Sequence, residues 1–158
     1  MHPNATAVAA ALALAGAVGE VRELVDSART AAQAAAALGC TVGAIANSLV
    51  FMADEHPVLI LTSGAHRVDT AHVAGQLGVG AVRRATPEQV RAATGQPIGG
   101  VAPVGHPRPV RTLVDTALQA YPVVWAAGGT PHTVFPTSYA ELLRICAGQP
   151  VTVTAADQ

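Results

Sequence analysis

The feature that most limits how this chain can fold is a pair of short apolar runs separated by a polar turn. The runs span Ile45 to Met52 and Val58 to Thr62, and Asp54-Glu55-His56-Pro57 lies between them. Two runs of strand length joined by such a turn predict an antiparallel hairpin. Asn47 and Ser48 interrupt the first run at its centre, where a buried strand usually carries apolar side chains. The hairpin therefore predicts a sheet with a polar position inside it.

Helices and further strands alternate around this hairpin at short intervals. Helix N-caps are predicted at Asn4, Thr30, Asp69, Thr86 and Ser138. Capping-box spacing follows Thr30, Thr86 and Ser138. Helices are predicted to end at Gly39 and Gly95. Further strands are predicted at Glu20–Leu24, Ala81–Arg83, Val110–Val114, Val123–Ala126 and Thr133–Phe135. Hairpins mixed with helix crossovers favour a mixed α/β sheet over a doubly wound parallel one.

The size and composition are those of one domain, which we expect to span residues 1–158. Hydrophobic residues make up 51% of the chain and charged residues 12%, and no turn-free run of about 18 apolar residues predicts a membrane span. Ala5 to Val18 is alanine-rich, but the first arginine is Arg22, so this segment is interpreted as a helix of a cytoplasmic protein rather than a leader. Cys40 and Cys146 lack a CxxC spacing and are expected to be thiols.

The net charge and the absence of lysine exclude some functions. The formal net charge is −1, so no global field attracts nucleic acid. The nine basic residues are all arginine, and without lysine the chain offers neither a Schiff base nor a lysine general base. Several arginines flank the glycine-rich segment described next, either as a solvated surface or as phosphate contacts beside a pocket: Arg83, Arg84, Arg91, Arg108 and Arg111.

A glycine- and proline-rich stretch is the strongest candidate for a ligand-binding loop. Residues 94–106 read TGQPIGGVAPVGH, a composition that forms neither helix nor central strand. Such a loop can aim successive N–H groups at a carbonyl oxygen or phosphate, or it can be an ordinary long turn. A second glycine turn, AAGGTPH at 126–132, is either a plain hairpin turn or a ligand contact.

The histidines do not predict a metal site. His66, Asp69 and His72 would fan over a wide arc of a helix, a poor fit to one ion. His106 and His132 each follow a Gly/Pro turn, either as surface residues or as acid, base or donor groups. No GxSxG, HExxH or catalytic-cysteine signature is present, and we expect neither metal nor cofactor.

Several segments, in this order, resemble the YbaK/EbsC family, the free-standing relatives of the editing domain of bacterial prolyl-tRNA synthetases. The matching segments are VGAIANSLVF, SGAHRVD, ATPEQVRAATG, IGGVAPVGH, YPVVWAAGG and PTSYAELLRI, and the resemblance covers about residues 4 to 153. It implies a compact, mainly antiparallel mixed sheet or barrel-like core flanked by helices. The implied activity is hydrolysis of the ester in mischarged aminoacyl-tRNA, often proline tRNA carrying alanine or cysteine.

The resemblance also assigns candidate site residues. The family's GxxxP loop matches Gly99 to Pro103, which in relatives lies against the aminoacyl group. Asn47, Gly99 and Gly100 are the catalytic candidates. The candidate substrate contacts are Ser48, Ser63, Gly64, Val101, Pro103, Gly105, His106, Gly128, Gly129, Thr130 and His132. The implied partners are the 3′ end of an aminoacyl-tRNA and a prolyl-tRNA synthetase, with no membrane.

One position departs from the family pattern. Relatives carry a functionally important lysine where this chain has Asn47, aligned on the following Ser48-Leu49-Val50-Phe51. One hypothesis is a deacylase in which the Asn47 amide remains a donor and an arginine from elsewhere partly restores the charge. The alternative is a non-catalytic module that binds an aminoacyl-adenosine end or a nucleotide. A third reading is that Asn47 only bonds neighbouring backbone.

Overall fold

The computed structural model describes residues 2–154, which alternate helices with the strands of one sheet. The helices are α1 Pro3–Leu14, α2 Ala31–Leu38, α3 Thr70–Leu77, α4 Pro87–Thr94 and α5 Tyr139–Ile145. The strands are β1 Arg22–Glu23, β2 Ile45–Ala53, β3 His56–Ser63, β4 Val82–Arg84, β5 Arg111–Asp115, β6 Val124–Ala127, β7 Thr133–Thr137 and β8 Gln149–Val151. None of the helices in this part of the chain is long and apolar enough to cross a membrane.

Local capping chemistry sets most helix ends. Thr30 and Thr86 accept hydrogen bonds from the first turns of α2 and α4, and Gln89 completes the capping box of α4. Gly39 ends α2 in the left-handed conformation, with φ +67°. The prediction of Asn4 as a cap is wrong, because α1 begins with proline and the His2 ring accepts from the Asn4 N–H.

The sheet is mixed, which confirms the predicted α/β class. Its strand order is β1-β7-β6-β2-β3-β5-β8, and β4 also pairs with β2. The β2–β3 hairpin, β2–β4, β6–β7 and β1–β7 are antiparallel, whereas β2–β6, β3–β5 and β5–β8 are parallel. The parallel pairs require the helical crossovers between them. The short strand β8 carries no clear sequence signal, and it was not predicted.

Strand β2 has three neighbours although a strand has only two edges. One edge pairs with β3 along its whole length. The other edge pairs with β6 at Ile45 and Ala46, and then with β4 from Phe51 to Ala53. Between these partners no described strand lies beside residues 47–50, although the Val50 carbonyl accepts from the Ala85 N–H. The sheet is therefore split at the polar positions of β2.

The β2–β3 hairpin is buried on both faces, so alternate residues enter two different cores. Leu59 and Leu61 join the core that contains α1, α5 and the glycine-rich loop, whereas Ile60 joins the core under α3. All three side chains are 0% exposed. The hairpin is thus the rigid centre from which the other elements are placed.

A buried carboxylate ties the end of β3 to the end of β5. Asp115 is 1% exposed and accepts from the Ser63 N–H at 3.0 Å and the Ala117 N–H at 3.0 Å. The same carboxylate contacts His66 Nδ1 at 2.9 Å. Two main-chain donors and one side chain therefore depend on a single residue.

The glycine-rich loop, residues 95–110, is held by two of its own side chains. Gln96 is buried; its Oε1 accepts from the Ala102 N–H at 2.7 Å and its Nε2 donates to the Val104 carbonyl at 3.3 Å. His106 Nε2 donates to the Ala102 carbonyl at 2.7 Å. Burial lowers the pKa of His106, and the bond to Ala102 opposes this more weakly. The loop is thus braced internally rather than by regular secondary structure.

Replacing the buried carboxylate should weaken the fold strongly. We expect Asp115→Ala to lower the free energy of unfolding by about 2–4 kcal/mol, because two buried N–H donors lose their acceptor. Urea denaturation measures this effect. His66→Ala, which removes only the half-exposed partner, should cost about 1 kcal/mol or less. Equal losses of unfolding free energy in the two variants would contradict the assignment of Asp115 as the residue that connects the ends of β3 and β5.

Stability should also depend on the protonation of His106. Because the pKa of His106 is lower in the folded state, its contribution to stability is fully present above the unfolded pKa of about 6.5 and is lost as pH falls from there through the lower folded-state pKa. Urea denaturation at pH 7.5 and pH 5 should show this loss in the unmodified protein and less of it in His106→Gln. The exposed His56→Gln is the control and should keep the original pH dependence. An unchanged dependence in His106→Gln would contradict the assignment.

Candidate functional site

A cavity of about 290 Å³ lies at the split in the sheet. Residues 45–50 of β2 form its floor, and β6 and β7 form one wall. The start of α2 and the glycine-rich loop, through Gly99 and Val101, enclose the remaining sides together with Arg84 of β4. The missing strand pairing on β2 is therefore what leaves room for a ligand.

The sheet register decides which side chains share a face. Ile45 lies opposite Trp125, Asn47 opposite Thr62, and Phe51 opposite Arg84. Residues opposite each other point to the same face, and so do alternate residues of one strand. Asn47, Trp125 and Arg84 are therefore on one face of the sheet.

The main chain of β2 offers hydrogen-bonding groups to the cavity. The Ile45 carbonyl accepts from the Gly64 N–H on the β3 side, whereas the Val50 carbonyl accepts from Ala85 on the other side. Because successive residues alternate between edges, the N–H and C=O of Ser48 face the edge where no described strand pairs. An N–H group in this position can donate to a carbonyl oxygen that enters the cavity.

Two hydroxyls beside Asn47 are unpaired. Ser48 Oγ and Thr62 Oγ1 are buried without a hydrogen-bond partner among residues 2–154, and Thr62 lies directly across from Asn47. A buried polar group without a partner costs about 1–3 kcal/mol. A structural core would normally avoid this cost, so unpaired hydroxyls on both faces of the sheet, Thr62 on the Asn47 face and Ser48 on the other, are unusual for a purely structural region.

The glycine-rich loop approaches its neighbours too closely for larger residues. Gly99 has φ +85°, and a Cβ there would lie 3.3 Å from the Cβ of Arg29. A Cβ on Gly100 would lie within 2.6 to 2.8 Å of the main chain of Thr130 and Pro131. The second glycine turn therefore supports the loop from behind, while Gly99 faces the cavity.

The ionisable side chains that line the cavity are both arginines. Arg29 and Arg84 line it, and no aspartate, glutamate, histidine or cysteine is among its described lining residues. The two thiols are free, and burial raises the pKa of both, that of Cys146 to about 12. The cavity is thus weakly positive and carries no side-chain nucleophile with a low pKa.

The structure places the predicted site residues at different depths. Asn47, Ser48, Gly99 and Val101 line the cavity. Gly100 packs against Thr130, whereas Gly128 packs against Thr133 and Gly129 against Asn4 and Val8. Pro103, Gly105 and His106 lie in the far arm of the loop and do not line the cavity.

The remaining predicted contacts also lie outside the lining. Ser63 Oγ donates to the Gly43 carbonyl, and Gly64 packs against Val42 and against Ala31, which does line the cavity. His132 is exposed, with its N–H donating to Thr130 Oγ1. The roles of all these residues stay predictions.

Three residues of the site were not predicted from the sequence. Arg29 and Trp125 line the cavity, and Gln96 braces the loop. The capping signal at Thr30 predicts a helix that begins just after Arg29, and this is the sequence signal that could have indicated Arg29. Trp125 and Gln96 carry no motif of their own. No group of three metal-ligating side chains occurs within the described residues.

Comparison with known proteins identifies the family of this chain. The model of the aminoacyl-tRNA editing domain matches residues 25–145. The protein YwhH of Bacillus subtilis (strain 168) is 30% identical over 124 residues, 78% of each chain. A proline–tRNA ligase of Nitratidesulfovibrio vulgaris (strain DP4) is 36% identical over 92 residues, which are 58% of this chain but only 16% of the ligase.

A solved structure supports the same assignment across the whole fold. A protein described as a proposed trans-editing enzyme for prolyl tRNA synthetase superposes with a TM-score of 0.92 at 42% identity, and the match covers 99% of both chains. The YbaK-like mixed α/β fold is thereby confirmed. The chain belongs to the aminoacyl-tRNA editing domain family.

Proposed function

We propose that this chain is a trans-editing deacylase that hydrolyses the ester of mischarged aminoacyl-tRNA. The first candidate substrate is proline tRNA carrying alanine or cysteine. The observation that carries the proposal is the cavity at the split in β2, which Asn47 and Ser48 line together with Gly99 and Val101 of the glycine-rich loop. The active unit is proposed to be a single domain, residues 1–158, that acts on charged tRNA in the cytoplasm.

The cavity suits the end of an aminoacylated ribose. Its volume of about 290 Å³ leaves room for a small aminoacyl group and part of a sugar. In the proposed reaction a water oxygen bonds to the ester carbonyl carbon. The bond to the ribose oxygen then breaks, and that oxygen takes a proton. The products are a free amino acid and an uncharged tRNA hydroxyl.

Positioning rather than a strong nucleophile supports this reaction. An aminoacyl ester is already activated, so holding its carbonyl against N–H donors beside a water or ribose hydroxyl supplies much of the rate. The Ser48 N–H is proposed as the donor to the carbonyl oxygen, and the Asn47 amide as a second polar contact. Gly99 and Gly100 keep the opposite wall close.

A binding module is the second candidate function. It is favoured by Asn47 at the position of the family lysine and by the lack of any carboxylate or histidine among the described lining residues. Such a module would hold an aminoacyl-adenosine end without hydrolysing it. The family relation to prolyl-tRNA synthetases makes one of these enzymes a proposed partner for either function.

Single-turnover hydrolysis of charged proline tRNA distinguishes the two functions. We expect the unmodified protein to release alanine, cysteine or serine at least about tenfold faster than spontaneous hydrolysis. Asn47→Ala should be slower by about two- to tenfold, because a neutral hydrogen bond is worth about 0.5–1.5 kcal/mol. Asn47→Lys should be faster by roughly ten- to a hundredfold, because a hydrogen bond to a charged group is worth about 1.5–3 kcal/mol. Asn4→Lys, at the chain's other asparagine outside the cavity lining, is the matched control.

Other results of the hydrolysis assay would change the function assigned to the chain or to Asn47. Hydrolysis by Asn47→Lys alone would identify a binding module whose site keeps its shape. A folded Asn47→Lys variant that binds charged tRNA without any gain in rate would contradict the role given to Asn47. Loss of activity in Asn4→Lys as large as in Asn47→Ala would show that the assay reports folding rather than the site.

A further inference from the structure

The cavity rim carries two arginines that the protein itself does not neutralise. Arg29 and Arg84 both line the cavity and are exposed. Within residues 2–154 the ion pairs are His66–Asp115 and Arg144–Glu141, so neither rim arginine has a carboxylate partner. The lining contains no acidic residue in this part of the chain either. In a chain of net charge −1, this is a local concentration of positive charge.

Arg84 is held in place by the sheet. It lies opposite Phe51 in the β2–β4 register, on the same face as Asn47, and its guanidinium carbon is 5.5 Å from the centre of the Phe51 ring. The preceding residue, Arg83, lies opposite Met52 on the other face and contacts Gln89 Oε1 at 3.5 Å. Two adjacent arginines are therefore separated by the pleat, and only Arg84 lines the cavity.

Arg29 is held in place by the start of α2. Its N–H donates to Gln33 Oε1 at 3.0 Å, and its side chain packs against Gly99 of the glycine-rich loop. It directly precedes the N-cap Thr30, so its charge adds to the partial positive charge of the helix N-terminus. Neither guanidinium group has a carboxylate partner within residues 2–154, and the stacking of Arg84 on Phe51 leaves its N–H donors able to bind phosphate oxygens.

We propose that Arg29 and Arg84 bind the phosphate group on the nucleotide whose aminoacylated ribose enters the cavity. This inference rests on the proposed function and names the chemistry that the site recognises: a ribose ester that carries a phosphate, rather than a nucleoside ester. Strand β2 carries the neutral Asn47 instead of a lysine. The positive charges of the cavity are those of Arg29 and Arg84 at its rim, where they contribute to binding. Its loss should raise the Kd and KM and leave kcat within about twofold.

Binding can be measured without hydrolysis through Trp125, the single tryptophan of the chain, which lines the cavity. Adenosine, AMP and the trinucleotide CCA are titrated while Trp125 fluorescence is followed. We expect AMP and CCA to bind at least about tenfold more tightly than adenosine, with an affinity that falls as salt is added. Tighter binding of CCA than of AMP would identify an RNA end, rather than a free nucleotide, as the source of the phosphate.

The variants test the assignment to these residues. Arg29→Ala and Arg84→Ala should each weaken AMP and CCA binding about three- to tenfold and leave adenosine binding unchanged. Arg83→Ala is the matched control and should leave all three affinities unchanged. Equal affinity for adenosine and AMP, or equal effects of Arg83→Ala and Arg84→Ala, would overturn the proposal.

Hydrolysis separates this inference from the proposed function. The alanyl ester of AMP should have a KM at least about fivefold lower than the alanyl ester of adenosine, and this difference should vanish in the Arg29→Ala/Arg84→Ala double variant. Hydrolysis of both esters with equal KM would overturn the phosphate site and keep the deacylase. Phosphate-dependent binding without hydrolysis of either ester would support the phosphate site and overturn the deacylase.

Discussion

The structure depends on one topological constraint: β2 pairs with three strands although it has only two edges. Because β6 and β4 share one edge, a stretch of that edge around Ser48 is left without a strand partner. In a buried sheet such a stretch would be costly unless something else met its polar groups. The cavity lies at this stretch, and in the proposed function the ester carbonyl of the substrate accepts a hydrogen bond from the Ser48 N–H there.

The distribution of charge follows from the same geometry. Asn47 lies on the floor of the cavity, whereas Arg29, just before α2, and Arg84 of β4 lie at its rim. In the proposed function, a charge on the floor would act on the reacting ester, and a charge at the rim would act on the rest of the ligand. The described lining of the cavity carries only the rim charges, so the proposed hydrolysis would depend on alignment of the ester more than on electrostatic activation.

Much of the fold was predictable because its signals are local. Capping boxes, left-handed glycines and the apolar runs of the β2–β3 hairpin act within a few residues, and the order of several motifs identified the family. The split in β2 was not predictable in this way, since it depends on pairing with strands about 30 and 80 residues away in sequence. Asn47, which a local motif predicts as a site position, does line the cavity, whereas Arg29 and Trp125 line it through the fold and were not predicted. Asn4 was misassigned because a histidine side chain replaced the usual cap.

A structure of the protein with a non-hydrolysable analogue tests this account most directly. In this analogue of AMP, alanine is joined to the 3′ position of the ribose by an amide instead of an ester. It keeps the carbonyl, the ribose and the phosphate of the proposed substrate. We predict that the carbonyl oxygen of the analogue lies about 3 Å from the Ser48 nitrogen, in the gap between β6 and β4. An analogue bound elsewhere, or bound with its aminoacyl group outside this gap, would contradict the claim that the split in β2 forms the site.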